Sequence, residues 1–169
     1  MTLLRDIAAA LSPFNAFLII QGLETLPLRI ARHAENAQKV VDFLRGRAEV
    51  TRVIHPSMQT GVHRKRADRY LKGGLGGLVG FELAGGRDAG RRFIDALELF
   101  YHVANIGDAR SLAIHPATTT HSQLTPEEQH ATGVSDGYVR LSVGIEHIDD
   151  ILADIERGLD AAGKVAQAA

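Results

Sequence analysis

The chain has 169 residues, with 19 Lys plus Arg against 20 Asp plus Glu and a formal net charge of -1. That length suits one ordinary domain with a real core, and the even charge gives no general electrostatic case for nucleic acid or an anionic membrane. The absence of Cys excludes a disulfide frame, a thiolate metal site and a cysteine nucleophile. The longest purely apolar run, Ala16 to Ile20, is far too short to span a bilayer. Arg5 and Asp6 interrupt Met1–Leu11 as a cleavable signal. A soluble, cytoplasmic domain is the expectation, with eight His as the compositional hint of site chemistry.

Ser12-Pro13 is a helix start, because Ser caps free N–H groups and Pro suits the first turn. A short apolar helix is predicted from about Pro13 to Gln21, interrupted by Gly22 and Pro27, with a restart near Thr25. The next helix runs from about Leu26 to Arg45, with Leu26, Ile30, Ala34, Ala37, Val41 and Leu44 as its buried stripe. Val50–Ile54 is β-branched and ends at His55-Pro56, as a strand does. His63–Leu71 is a basic helical piece, and the glycines of Lys72–Gly77 mark a loop. Leu78–Leu83 reads as a strand, Arg87–Leu97 as a helix and Phe100–Val103 as a short strand. Ala104–Gln123 is long, polar and Thr-rich, with only Leu112–Ile114 strand-like; such connections are often functional. Thr125–Glu128 opens a short helix, Tyr138–Val143 alternates as a strand, and Ile148 to Ala162 forms the last helix. The fold expected is α+β: a small antiparallel-rich mixed sheet of about four strands, with helices mainly on one face.

Arg140 is the sharpest single residue. Alternation puts Val139, Leu141 and Val143 on one face of their strand and Tyr138, Arg140 and Ser142 on the other. Arg at such a position normally needs a carboxylate or phosphate partner, and its planar fork suits a carboxylate. An internal salt bridge or a solvated sheet face is the alternative. The Gly-rich loop follows a helix and opens a strand, the reverse of a phosphate cradle, so it reads as a connector. His115 and His121 lack a helical ligand spacing and a partner carboxylate, which argues against a metal site. Ser111 and Ser122 lack a nucleophile-elbow pattern. The basic piece Arg64-Lys65-Arg66 with Arg69 has no aromatic platform and reads as a solvated face rather than a nucleic-acid site.

Three segments carry the reading further: Ser12 to Arg29, Asn105 to Leu112 running into His115–His121, and Val139 to Glu146. In this order and spacing they resemble the pyridoxal-phosphate enzymes of cysteine and methionine metabolism, and within that group the O-acetylhomoserine sulfhydrylases. The resemblance implies the C-terminal domain of a fold-type-I enzyme. Residues 1–47 would then be linker helices from a missing large domain, and residues 48–169 the C-terminal α+β domain. It implies that Arg140 binds the substrate α-carboxylate and that Thr120 lies near the substrate. Asn105 stands where related γ-lyases and cystathionine enzymes carry a Ser that helps hold the same carboxylate. The family's catalytic lysine belongs to a Ser-x-x-Lys motif, and none of Lys39, Lys65, Lys72 and Lys164 stands in one. The resemblance therefore places pyridoxal phosphate in the full-length parent, with none expected on this chain alone, which would be inactive. The implied parent reaction is γ-replacement, in which acetate leaves O-acetyl-L-homoserine and sulfide or a thiol adds, giving homocysteine or methionine. Two other readings stand beside it: a lysine-less binding or oligomerisation module, and a relative of methionine γ-lyase or cystathionine γ-synthase. The expected partners are an amino-acid substrate and, through the apolar first helix, either the missing large domain or a second copy.

Overall fold

A computed structural model describes residues 11–166 of the chain, with side chains as far as Gly163. Met1–Ala10, which carries the reading against a cleavable signal, and the side chain of Lys164 lie outside the described residues.

Helix α1 spans Pro13–Glu24, with the Asn15 N–H donating to the Ser12 side chain at 3.2 Å. It runs through Gly22 rather than stopping at Gln21, since one Gly costs a helix only about 1 kcal/mol against Ala. The break comes at Thr25, two residues before Pro27, whose ring leaves no N–H for the preceding turn. Helix α2 then spans Leu26–Leu44. Its buried side differs from the expected stripe: Ala37, Val41 and Leu44 are inward, joined by His33, Asn36 and Val40, while Leu26 and Ile30 are exposed. Only the second half of α2 is packed into the core. Part of the stretch read as linker helices thus belongs to the core.

Strand β1 is Val50–Ile54 and is followed by a one-turn helix, Pro56–Met58. Helix α3 is Gly61–Tyr70, β2 is Leu78–Leu83 and α4 is Gly86–Ala96. Strand β3 holds only Tyr101–His102, and β4 is Leu112–Ile114. A turn of helix at Pro116–Thr118 precedes α5, Pro126–Ala131, which begins with a reciprocal capping box between Thr125 and Glu128. Strand β5 is Tyr138–Ser142, and α6 extends over Ile148–Ala166.

The sheet has five strands, in the order β1-β2-β5-β4-β3, which corrects the expected four. All neighbours are antiparallel except β3 and β4, which run parallel. Val79 and Phe81 on β2 and Val139 and Leu141 on β5 point to one face, where α2, α4 and α6 close a single core. Burying each such side chain contributes about 1.5–3 kcal/mol. Phe81 and Phe93 meet edge to face at 5.2 Å, and Gly158 lets α6 approach the Phe93 ring. The carboxylate of Asp154, on α6, accepts the N–H groups of Glu98, Leu99 and Phe100 at 2.9–3.1 Å and so fixes the entry to β3. The other face of the sheet carries Gly80, Tyr138, Arg140 and Ser142.

A Cβ at residue 158 would sit 2.7 Å from two atoms of the Phe93 ring, which is fully buried. Gly158→Ala should therefore destabilise the chain by about 1–3 kcal/mol, although Ala favours a helix by about 1 kcal/mol. A urea midpoint equal to or above that of the parent chain would contradict this packing.

Candidate functional site

Arg140 lies on β5 with strands on both sides, opposite Gly80 of β2 and Ile114 of β4. Its neighbours in the chain, Val139 and Leu141, are fully buried in the core and lock the strand's orientation. The guanidinium stands on the opposite face. Its Nη2 donates to the carbonyl oxygens of Ala104 at 2.7 Å and Asn105 at 3.2 Å. Its Nε is buried and has no hydrogen-bond partner among the described residues. The Arg140 guanidinium has no carboxylate partner among the described residues. The internal salt bridge weighed from sequence is thus replaced by a cation held by neutral carbonyls. Such carbonyls orient the fork without neutralising it, and its remaining donors suit an incoming anion.

Two clefts meet at this side chain. One, of about 580 Å³, is lined by Ala104, Asn105, Ile106, Gly107 and Asp108 together with Arg140. The other, of about 700 Å³, separates α3 from the sheet and is lined by His55, His63, Arg66, Tyr70, Tyr138 and Arg140 among others. Gly80 makes room for the Tyr138 ring, since a Cβ there would lie 2.8 Å from Tyr138 Cε2. Burial pushes the Tyr138 phenol above its ordinary value, against the opposing field of Arg140.

Asn105 and Arg140 are thus brought together, through the Asn105 main chain. Thr120 is not: it is exposed in the turn after Pro116–Thr118, with its hydroxyl 2.9 Å from His121 Nδ1, and it borders neither cleft. His115 is buried, its Nε2 facing the Asp136 carbonyl at 2.8 Å and its Nδ1 the Thr118 hydroxyl at 2.9 Å, which ties three segments together. Among the described residues no cluster of His, Cys, Asp or Glu is placed to hold a metal. Sequence reading missed the groups that hold the 104–111 loop beneath Arg140, namely Ser111, Ser142 and Glu146. The spacing of a Glu six residues after an inner-strand Arg carries no general signal for such a role.

The described lysines make their contacts elsewhere. Lys39 pairs with Glu35 at 2.7 Å, Lys72 donates to the Asp68 carbonyl, and Lys65 is exposed on α3.

Residues 1–160 match the Cys/Met metabolism PLP-dependent enzyme family. The chain belongs to that family. It is 55% identical over 157 residues to an O-acetyl-L-homoserine sulfhydrylase of Leptospira meyeri, covering 92% of this chain and 36% of that protein. An L-methionine gamma-lyase of Pseudomonas putida is 46% identical over 159 residues, covering 94% of this chain and 40% of the relative. Among solved structures, a Campylobacter jejuni protein holding N'-pyridoxyl-lysine-5'-monophosphate superposes with a TM-score of 0.83 at 41% identity, over 94% of this chain and 38% of that one.

These findings correct one expectation. The chain was read as the C-terminal, carboxylate-binding part of an O-acetylhomoserine sulfhydrylase. The matches instead define a segment worth 36–40% of its relatives' length, and they extend to a methionine gamma-lyase as well as a sulfhydrylase. Placement as the C-terminal domain of a sulfhydrylase is withdrawn, and membership of the wider family takes its place. None of the described lysines is among the residues that line the two Arg140 clefts.

His115 and His55 both have their pKa lowered, mainly by burial. Unfolded, each titrates near 6.5; folded, each stays neutral to lower pH. Their contribution to stability is complete above the unfolded value and is lost as pH falls through the depressed folded values. Urea midpoints should therefore fall between about pH 7 and about pH 5, and fall less steeply in His115→Asn. Equal slopes for the two chains would contradict the buried neutral ring.

Proposed function

We propose that this chain is the substrate-recognising segment of a pyridoxal-phosphate-dependent enzyme of the sulfhydrylase, lyase and synthase type, with Arg140 as the contact for an amino-acid α-carboxylate. The observation that carries the reading is a single cation on an inner strand. It is aimed by two carbonyls, carries a buried unpartnered Nε and opens onto two clefts. A carboxylate offers two oxygens in one plane and complements such a fork. Asn105 contributes its main-chain oxygen to this arrangement, and Thr120 lies outside both clefts. Pyridoxal phosphate, when bound to the whole enzyme, supplies the electron sink for bond breaking next to the amino acid's α carbon. This chain's own work is to fix the carboxylate and so the direction of the bond to be broken. The 55% identity to one sulfhydrylase against 46% to a lyase supports γ-replacement on an O-acetylhomoserine-type substrate.

Titration with L-methionine and with L-methioninamide, which differ only at the carboxylate, tests this reading by NMR. L-Methionine should shift the Arg140 Nε–Hε signal and the amide should not. Arg140→Gln should weaken L-methionine binding at least about tenfold while leaving the core methyl spectrum in place. Equal responses to both ligands would overturn the carboxylate role.

The partner reading rests on α1, none of whose residues is buried. Phe14, Phe17, Leu18, Ile19, Ile20 and Leu23 are each more than half exposed, an apolar surface that water does not favour. We propose that it covers either further parts of the enzyme or a second copy, with α1 and the exposed first half of α2 as the connecting arm. Light scattering of this chain at micromolar concentration should show dimers or larger species, dispersed by Phe17→Glu with Ile20→Glu. A strictly monomeric parent chain would contradict self-association.

A further inference from the structure

The two carbonyls that aim Arg140 belong to an irregular, exposed loop between β3 and β4. Such a loop does not hold an acceptor still by itself, since ordering each free residue costs conformational entropy. The question is what fixes it.

The answer lies beyond the end of β5. The Glu146 carboxylate accepts twice from one residue of the loop: the Ser111 N–H donates to Oε1 at 2.6 Å and the Ser111 hydroxyl to Oε2 at 2.9 Å. The same hydroxyl oxygen accepts the Gly144 N–H at 2.8 Å, and the Ile145 N–H donates to the Ala109 carbonyl at 2.9 Å. Nearer Arg140, the Gly107 N–H donates to the Ser142 hydroxyl at 3.0 Å. The loop is thus sewn to the strand that carries Arg140, with Glu146 as the charged knot. Charge-assisted hydrogen bonds of this kind are roughly twice as strong as neutral ones.

Two further features serve the same contact. Gly144 permits it, because a Cβ there would lie 2.5 Å from the Ser111 nitrogen and 2.6 Å from the Ala109 oxygen. Asn36 of α2 holds it from behind, donating to the carbonyls of Gly144 and Glu146 at 3.0 Å each. Asn36 is fully buried, so the knot is anchored to the core and not to the surface.

We infer that Glu146 is a positioning residue for carboxylate recognition: through Ser111 it holds the Ala104–Asn105 carbonyls that orient the Arg140 guanidinium. This rests on the reading of Arg140 given above. Glu146 does not touch the substrate. Its effect is preorganisation, which spares the bound complex the cost of ordering a long side chain and a loop. Removing it frees the loop, the carbonyls leave Nη2, and the guanidinium samples other rotamers.

The test uses the chain itself in two steps. Without ligand, the Arg140 Nε–Hε signal should move and exchange faster with solvent in Glu146→Ala, while core methyl signals stay in place. With L-methionine, Glu146→Ala should bind about tenfold more weakly, and Glu146→Gln, which keeps one acceptor for the Ser111 N–H, should recover part of that loss. Ser111→Ala, which keeps the N–H bond, should show about a threefold loss and decides the matter if Glu146→Ala does not fold. An unmoved Arg140 signal and parental binding in these variants overturn the positioning role and leave the carboxylate reading intact. Failure of L-methionine to shift Arg140 in the parent chain removes the carboxylate reading instead; a moved ligand-free signal in Glu146→Ala then still establishes the clamp.

Discussion

A guanidinium on an inner strand cannot be left to find its own partners. It carries a full charge and five N–H donors, and the strand on which it stands is committed on its other face to the core. In this chain that core side is closed by Val139 and Leu141, both fully buried. Arg140 is therefore forced to the open face, where main-chain oxygens of a loop meet one of its nitrogens. A carboxylate partner within the chain would neutralise it. Carbonyls hold it while leaving the charge available.

The rest of the fold can be understood as what this arrangement requires. Gly80 gives the Tyr138 ring space beside the guanidinium, and α3 stands off from the sheet enough to leave a cleft. The buried polar groups of α2 reach the segment after β5, with His33 Nδ1 at 2.6 Å from the Val143 carbonyl and Asn36 one residue beyond. Burying polar groups is costly unless they are paired, so their placement there couples the helix to the strand exit. Glu146 and Ser111 carry the same coupling across to the 104–111 loop. Named hydrogen bonds run from the core to the 104–111 loop, and the loop's main chain carries the coupling on to the guanidinium.

Long amphipathic elements were legible in the sequence because their period is set by their own geometry. The inward residues Ile151, Ile155 and Leu159 of α6 follow that rule, as do Val139 and Leu141 on β5. Arg140 was legible for the same reason, as the polar member of an alternating strand. What escaped depends on tertiary context. Strand β3 has two residues and β4 three, too few for a pattern, and their parallel pairing follows from the path of the connecting loop. On α2, periodicity marks Leu26 and Ile30 as inward, but both are exposed, and His33 and Asn36 take buried positions through hydrogen bonds. The Glu146–Ser111 contact joins residues far apart in sequence, and neither residue type announces it. The position within a whole enzyme is likewise a matter for comparison: the matches cover 36–40% of the relatives and fix the family more firmly than the reaction.

The proposed carboxylate recognition depends on a planar fork held in one orientation, and not on positive charge alone. Calorimetric titration of the parent chain and of Arg140→Lys with L-methionine tests it most directly, because Lys keeps the charge and loses the fork. Binding in the parent chain with an at least tenfold loss in Arg140→Lys is the result the account predicts. Equal affinity in the two chains would contradict it.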